Sequence, residues 1–281
     1  MVIYIKKLYE FFFKIKNTFL ILKIKHHVNK ILINQNFNYS QKNVIKRSNG
    51  FKVISFINNK NYIKTIDYIK KNFNTKQIES EKSSNSKKFL IIKNLNLFQI
   101  PVILKLANDN FLIDVISNYL KTMPILYRAQ IWFSKSSSSE ISSQKFHFDR
   151  EDYIQMKVFF PISSVSLDSG PLVLINADQT KQFVFNNLKR LKLVTLKDRF
   201  EDKLVFDNIP QFKKNYMTSR KGDVIFADTT NCLHYGSRHV KKPKFQLLLH
   251  YVTPFSPKIR KQIKSINKID PMCYHRLIKV S

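Results

Sequence analysis

Residues 146–172 read FHFDREDYIQMKVFFPISSVSLDSGPL. Within them, Tyr153–Ile162 is almost wholly apolar and rich in Val, Ile, Phe and Tyr. That composition marks a short strand. Asp168-Ser169-Gly170 then supplies turn residues. Working outward, similar runs recur at Ile125–Phe133, Lys145–Asp149, Pro171–Ile175, Asp223–Ala227 and Phe245–Thr253, with a further turn at Lys221-Gly222-Asp223. Phe89–Leu95 reads as another strand, Pro101–Lys121 as a helix opened by proline in its first turn, and Thr180–Leu193 as a helical insertion. Many short strands with few helices predict a mainly β protein, a sandwich or barrel with helices packed outside. The chain holds only four glycines, Gly50, Gly170, Gly222 and Gly236, so each is expected at a turn that other residues could not make.

His147 and Asp149 are two residues apart. On a strand, positions i and i+2 point to the same side, so an imidazole and a carboxylate converge on one point. His234 follows 85 positions after Asp149 (234 − 149), beyond the run Asp223–Thr230. Two imidazoles and one carboxylate on one side of a metal ion leave three positions open for other ligands, the donor set of non-haem Fe(II) oxygenases. An isolated His-x-Asp is weak evidence, and the surrounding motifs carry more weight. Asp168-Ser169-Gly170-Pro171 follows the first pair. Gly222-Asp223-Val224-Ile225-Phe226 precedes His234, and Gly236 stands two residues after it.

This ordered series, with GDVIFADTTNCLHYGSR (222–238) and KPKFQLLLHYVTP (242–254), resembles the phytanoyl-CoA dioxygenase family over residues 125–255. The resemblance implies a double-stranded β-helix, a jelly-roll or cupin-like barrel, over 89–258. It implies metal ligands at His147, Asp149 and His234, with Fe(II), 2-oxoglutarate and dioxygen as cofactor and co-substrates. Its reaction is hydroxylation of an organic substrate, small or carrier-bound. Related halogenases carry a small residue where Asp149 stands, so the carboxylate favours hydroxylation. The family grips the far carboxylate of 2-oxoglutarate with a basic residue, usually arginine, about ten positions after the distal histidine. Lys244 stands there, a departure that substitutes a point charge for a planar fork. Arg238 competes, because four residues after His234 it would face the same side of a strand.

Lys157 and Phe159 have inward parity on the strand after Asp149. Phe159 reads as pocket wall or core. A buried Lys157 needs a partner, either a bound anion or a nearby carboxylate such as Glu151 or Asp152. His239, His250 and Cys232 read as structural.

The net charge is +30, from 49 Lys+Arg against 19 Asp+Glu. Such an excess draws anions, so an anionic substrate fits. It also arises by default in a chain crowded with Lys, Asn, Ile, Phe and Tyr. No basic run interleaved with aromatics points to a nucleic-acid module. The alternatives to an enzyme are a binding protein built on the same barrel and a basic nucleic-acid-binding protein. Cupin-like enzymes without 2-oxoglutarate usually bring more histidines to the metal.

Residues 1–40 form a basic, apolar segment that suits either a helix lying on a membrane surface or one packed on the domain. Its uncharged stretches are too short to span a bilayer, and it lacks a signal-peptide cleavage pattern. Residues 41–88 read as a polar extension and 259–281 as a basic tail. Two cysteines, Cys232 and Cys273, make no disulfide framework, which fits a cytoplasmic protein, peripheral to a membrane if the N-terminal segment binds one.

Overall fold

The computed structural model describes residues 44–73, 90–96, 99–135, 142–187, 199–209, 211–254, 256 and 258. The segments 1–40 and 259–281 lie outside the described residues, and with them the expected membrane contact and basic tail. No helix among the described residues is long and apolar enough to cross a membrane.

Strand β9 (Lys244–Val252) is buried at every position. A strand with both faces covered belongs in the middle of a sheet between two layers. Its neighbours are β4 (Gln155–Pro161) and β3 (Ile125–Ser134). The six-stranded sheet continues outward to β7 (Asp223–Ala227) and β1 (Phe51–Ser55) on one side and β2 (Leu90–Asn94) on the other, in the order β1-β7-β4-β9-β3-β2, every pairing antiparallel. A second sheet carries β6 (Asn215–Tyr216), β5 (Val173–Leu174) and β8 (His234–Tyr235). Single bridges from His147 to His234 and from Phe146 to Phe200 widen it.

The register sorts the side chains into two layers. Val158, Phe160, Val224, Phe226, Leu247, Leu249 and Tyr251 share one core with the helices α1 (Lys60–Asn72), α2 (Pro101–Ala107) and α3 (Asn110–Leu120). On the other face Phe159, Ile225, Ala227 and Leu248 meet Leu174, Met217 and Cys232 from the second sheet and its connections. Two sheets closing over one interior, with helices outside the larger, form the mainly β jelly roll expected for this chain. The remaining helices, α4 (Ala177–Asn187) and α5 (Asp202–Asn208), follow the short strands β5 and the Phe200 bridge.

Two departures from the sequence reading have local causes. The helical stretch 101–121 is two helices, because Asp109 caps the second by accepting from Leu112 N–H (3.3 Å) and also receives the side-chain amides of Asn59 (3.1 Å) and Asn61 (2.8 Å). The stretch 41–88, read as an extension, supplies β1 and α1. Strand β1 pairs with β7 along its whole length, and Phe56 N–H donates to Gly222 C=O (2.7 Å). Gly222 permits that approach: its φ is +93°, and a Cβ there would lie 2.9 Å from Ile57 Cβ.

Phe160 joins the sheet to α1 through contacts with Phe56 (6.2 Å between ring centroids) and Tyr62 (6.3 Å), and it is fully buried. Truncation there leaves a cavity under a helix, so Phe160→Ala is expected to lower unfolding free energy by about 3–5 kcal/mol. Urea denaturation measures this, and a loss under about 1 kcal/mol would contradict the assigned core.

Candidate metal centre

The second sheet brings the ligands together through its backbone. His147 N–H donates to His234 C=O (2.9 Å), and His234 N–H returns the bond to His147 C=O (3.1 Å). Residues that exchange both bonds across antiparallel strands stand directly opposite each other, with side chains on one face. The two imidazole centroids are 4.2 Å apart. Asp149, two residues on, is tied by its N–H to Thr229 C=O (3.0 Å), and its Oδ2 lies 3.5 Å from His234 Nε2. One ligand atom from each of His147, Asp149 and His234 falls within 4.8 Å of the others.

The rings are oriented for coordination. His147 Nδ1 lies 2.8 Å from Lys145 C=O and His234 Nδ1 lies 3.0 Å from Cys232 C=O. A carbonyl only accepts, so each Nδ1 carries the proton and each Nε2 presents its lone pair. Burial holds both imidazoles neutral: it pushes His147 down to about 3 and His234 below its ordinary value. Burial works against the Asp149 carboxylate, but the charge of the Lys157 ammonium and its hydrogen bond keep it well below the usual carboxylate range. Two neutral imidazoles and an ionised carboxylate are the form in which these groups bind a divalent ion, so the donor set fits a non-haem iron centre.

Lys157 is buried on the inner face, and its Nζ lies 2.6 Å from Asp149 Oδ2. Its carboxylate partner is therefore Asp149, not Glu151 or Asp152. Glu151 faces Arg128 instead (3.7 Å). Asp152 Oδ2 accepts from Thr253 N–H (2.6 Å) and Thr253 Oγ1 (2.8 Å). Phe159 packs in the inner core against Trp132. His250 is buried on the same inner face, bonded to Gln155 Oε1 (3.0 Å).

The two residues proposed for gripping a distal carboxylate have different settings. Strand parity does not carry from His234 to Arg238, because β8 ends at Tyr235 and Ser237 takes a left-handed φ of 58°. The Arg238 guanidinium stacks on Tyr235 (3.6 Å) and forks onto both carboxylate oxygens of Asp202 in α5 (2.7 and 2.8 Å). Lys244 begins β9 opposite Ser134 and shares the inner face of Gln246, Leu248 and His250. Its Nζ donates to Gly170 C=O (2.5 Å), with Ser237 Oγ at 3.4 Å, and burial lowers its pKa to about 8.

Sequence reasoning did not single out Arg199. The antiparallel Phe146–Phe200 bridge sets Arg199 opposite His147, half-buried, where its charge acts on both imidazoles. No signal marks that pairing in the sequence, since the bridge joins positions 54 apart (200 − 146) with no strand-like run around Phe200.

Among solved structures, the fold is similar to SnoK, described as a non-heme alpha ketoglutarate dependent carbocyclase from nogalamycin biosynthesis. That match has a TM-score of 0.54 and 11% identity over 81% of this chain and 90% of that one. The related epimerase SnoN aligns with TM-score 0.50 and 8% identity, over 74% and 80% of the two chains. HygX from Streptomyces hygroscopicus, solved with nickel and 2-oxoglutarate bound, aligns with TM-score 0.50 and 13% identity, over 74% and 84%. At these identities the likeness is one of fold. No protein-family model and no curated protein matches the chain, so the resemblance to phytanoyl-CoA dioxygenases rests on its motifs.

Replacing a ligand removes one of three protein donors. His147→Ala and Asp149→Ala are each expected to weaken Mn(II) binding more than about a hundredfold in calorimetry, and unchanged affinity in the Asp149 variant would remove it from the donor set. An imidazole already deprotonated releases no proton on binding. Metal affinity should therefore be nearly flat from pH 6 to 8 and fall only toward the His147 value near 3.

Proposed function

We propose that this chain is an Fe(II)- and 2-oxoglutarate-dependent dioxygenase that hydroxylates a small or carrier-bound organic substrate. The observation that carries the reading is the convergence of His147, Asp149 and His234, with both Nε2 lone pairs free to coordinate, inside a jelly roll. The donor set puts three protein ligands on one side of the ion and leaves the other side for exogenous ligands. Support also comes from SnoK and SnoN, both described as alpha ketoglutarate dependent. Those activities include an epimerisation and a carbocycle formation, so the fold serves more than one outcome. The Asp149 carboxylate supports hydroxylation here, because it fills the position that halide would need.

When bound, Fe(II) with 2-oxoglutarate supplies oxygen activation, with decarboxylation to succinate and carbon dioxide and transfer of one oxygen atom to substrate carbon. The protein holds the ion from one side through three fixed side chains. Phe159, Leu248, Leu174 and Trp132 provide an apolar wall that excludes water from the interior. We assign the grip on the distal carboxylate of 2-oxoglutarate to Lys244 rather than Arg238. Lys244 is an inward, buried ammonium bonded to a carbonyl, whereas the Arg238 fork is engaged by Asp202.

Purified protein given Fe(II), ascorbate and 2-oxoglutarate in air is expected to release succinate, even slowly and without substrate. Absence of succinate together with absence of 2-oxoglutarate binding to the metal-loaded protein would overturn the assignment and favour a binding protein. Lys244→Ala should raise the 2-oxoglutarate Kd about tenfold or more, leaving metal affinity near wild type. The ammonium loses its proton as pH rises through about 8. 2-Oxoglutarate affinity in the wild type should therefore decline from about pH 8 upward, and that decline should vanish in Lys244→Ala.

A further inference from the structure

We propose that Lys157 sets the charge of the metal centre: by neutralising Asp149 it lowers the pull on the metal ion and raises the preference for a dianionic ligand of that ion. The inference rests on the reading of His147, Asp149 and His234 as a metal site. Lys157 Nζ lies 2.6 Å from Asp149 Oδ2, and this is the carboxylate oxygen nearest His234 Nε2, at 3.5 Å. The ammonium thus sits on the carboxylate oxygen that faces the His234 ring, within the three-residue ligand set.

Strand register places it there. Lys157 pairs with His250 on β9 and Ala227 on β7, so its stem rises from the inner face of the larger sheet toward the ligands on the smaller. The Trp132 ring centroid lies 5.9 Å from Nζ. The His147 and His234 rings each keep their proton on Nδ1 against a backbone carbonyl, so as ligands through Nε2 they add no charge. The Asp149 and Lys157 charges cancel (−1 and +1).

A divalent ion entering this group makes it doubly positive, where the triad without the lysine would become singly positive. Arg199 beside His147 adds to the positive side. In a low-dielectric interior such charges act strongly. The ammonium opposes the incoming ion and favours two negative charges on whatever ligand joins it, so a dicarboxylate such as 2-oxoglutarate is matched better than a monocarboxylate such as pyruvate. Lys157 is a positioning and specificity residue: it touches a metal ligand and acts on the ion through charge.

The experiment measures Mn(II) binding to metal-stripped protein by calorimetry, then 2-oxoglutarate and pyruvate binding to the Mn(II)-loaded protein. Wild type is compared with Lys157→Met, Lys157→Gln and Lys157→Arg. In Lys157→Met the Mn(II) Kd should fall about tenfold and the 2-oxoglutarate Kd rise about tenfold, each about 1.4 kcal/mol, while pyruvate binding weakens less. Lys157→Gln keeps a donor for Asp149 without the charge and should show the same opposed changes, which serves if the Met variant does not fold. Lys157→Arg should stay within about threefold of wild type for every ligand. Weaker Mn(II) binding in both neutral variants, or an unchanged 2-oxoglutarate to pyruvate ratio, would overturn the proposal. Failure of the wild type to bind Mn(II) at all would overturn the metal-site reading beneath it.

Discussion

The site depends on one reciprocal pair of backbone hydrogen bonds, between His147 and His234. The bonds fix the strands in register, and a slip of one residue would turn either imidazole out of the interior. The smaller sheet is short, with two-residue strands at β5, β6 and β8, so little ladder holds it. Its rigidity comes from what packs behind it. Phe146, Phe183, Phe200, Leu233 and Tyr235 form a separate apolar cluster on its outer side, and Phe146 meets the Tyr235 ring edge-on at 4.8 Å. The residues flanking the ligands, Phe146 and Phe148 beside His147 and Leu233 and Tyr235 beside His234, thus anchor the strands that aim them.

A second set of constraints closes the interior around polar groups. Gln155 donates to Thr229 Oγ1 (2.8 Å) while its Oε1 meets His250 (3.0 Å). Asp228 is buried yet receives Tyr119 Oη (2.8 Å), the Asn231 side chain (2.8 Å) and two backbone N–H groups. Buried polar groups satisfied in this way hold geometry. Here they pin the Thr229–Asn231 turn, whose Thr229 carbonyl receives the Asp149 backbone. The position of the carboxylate is therefore set by a turn that is itself braced from α3.

Much of this was legible in the sequence, because the signals were local. The His-x-Asp spacing, the turn glycines and the apolar runs each fix their own neighbourhood. Gly170 and Gly222 do take positive φ. What escaped was long-range pairing. Strand β1 hides in a Lys- and Asn-rich stretch, since this edge strand leaves most of its residues at least partly exposed and its pattern FKVIS is short. The partner of Lys157 was out of reach because Asp149 meets it across the interior from the irregular segment after the His147 bridge, where nearness in sequence pointed to Glu151 and Asp152. Arg238 was misplaced by extending strand parity through a turn with left-handed residues.

The stacking of Arg238 on Tyr235 and its fork onto Asp202 has an indirect effect on recognition. With that guanidinium committed to bracing α5, the buried cations on the inner face of the larger sheet among the described residues are two lysines, Lys157 and Lys244. An ammonium has no plane and rotates its three protons to suit. Such groups register how much negative charge arrives and roughly how far apart it sits, with broad angular tolerance. Discrimination by outline is then left to Phe159, Trp132 and Leu248, so altering those walls should reshape which molecules fit without disturbing how their charge is received.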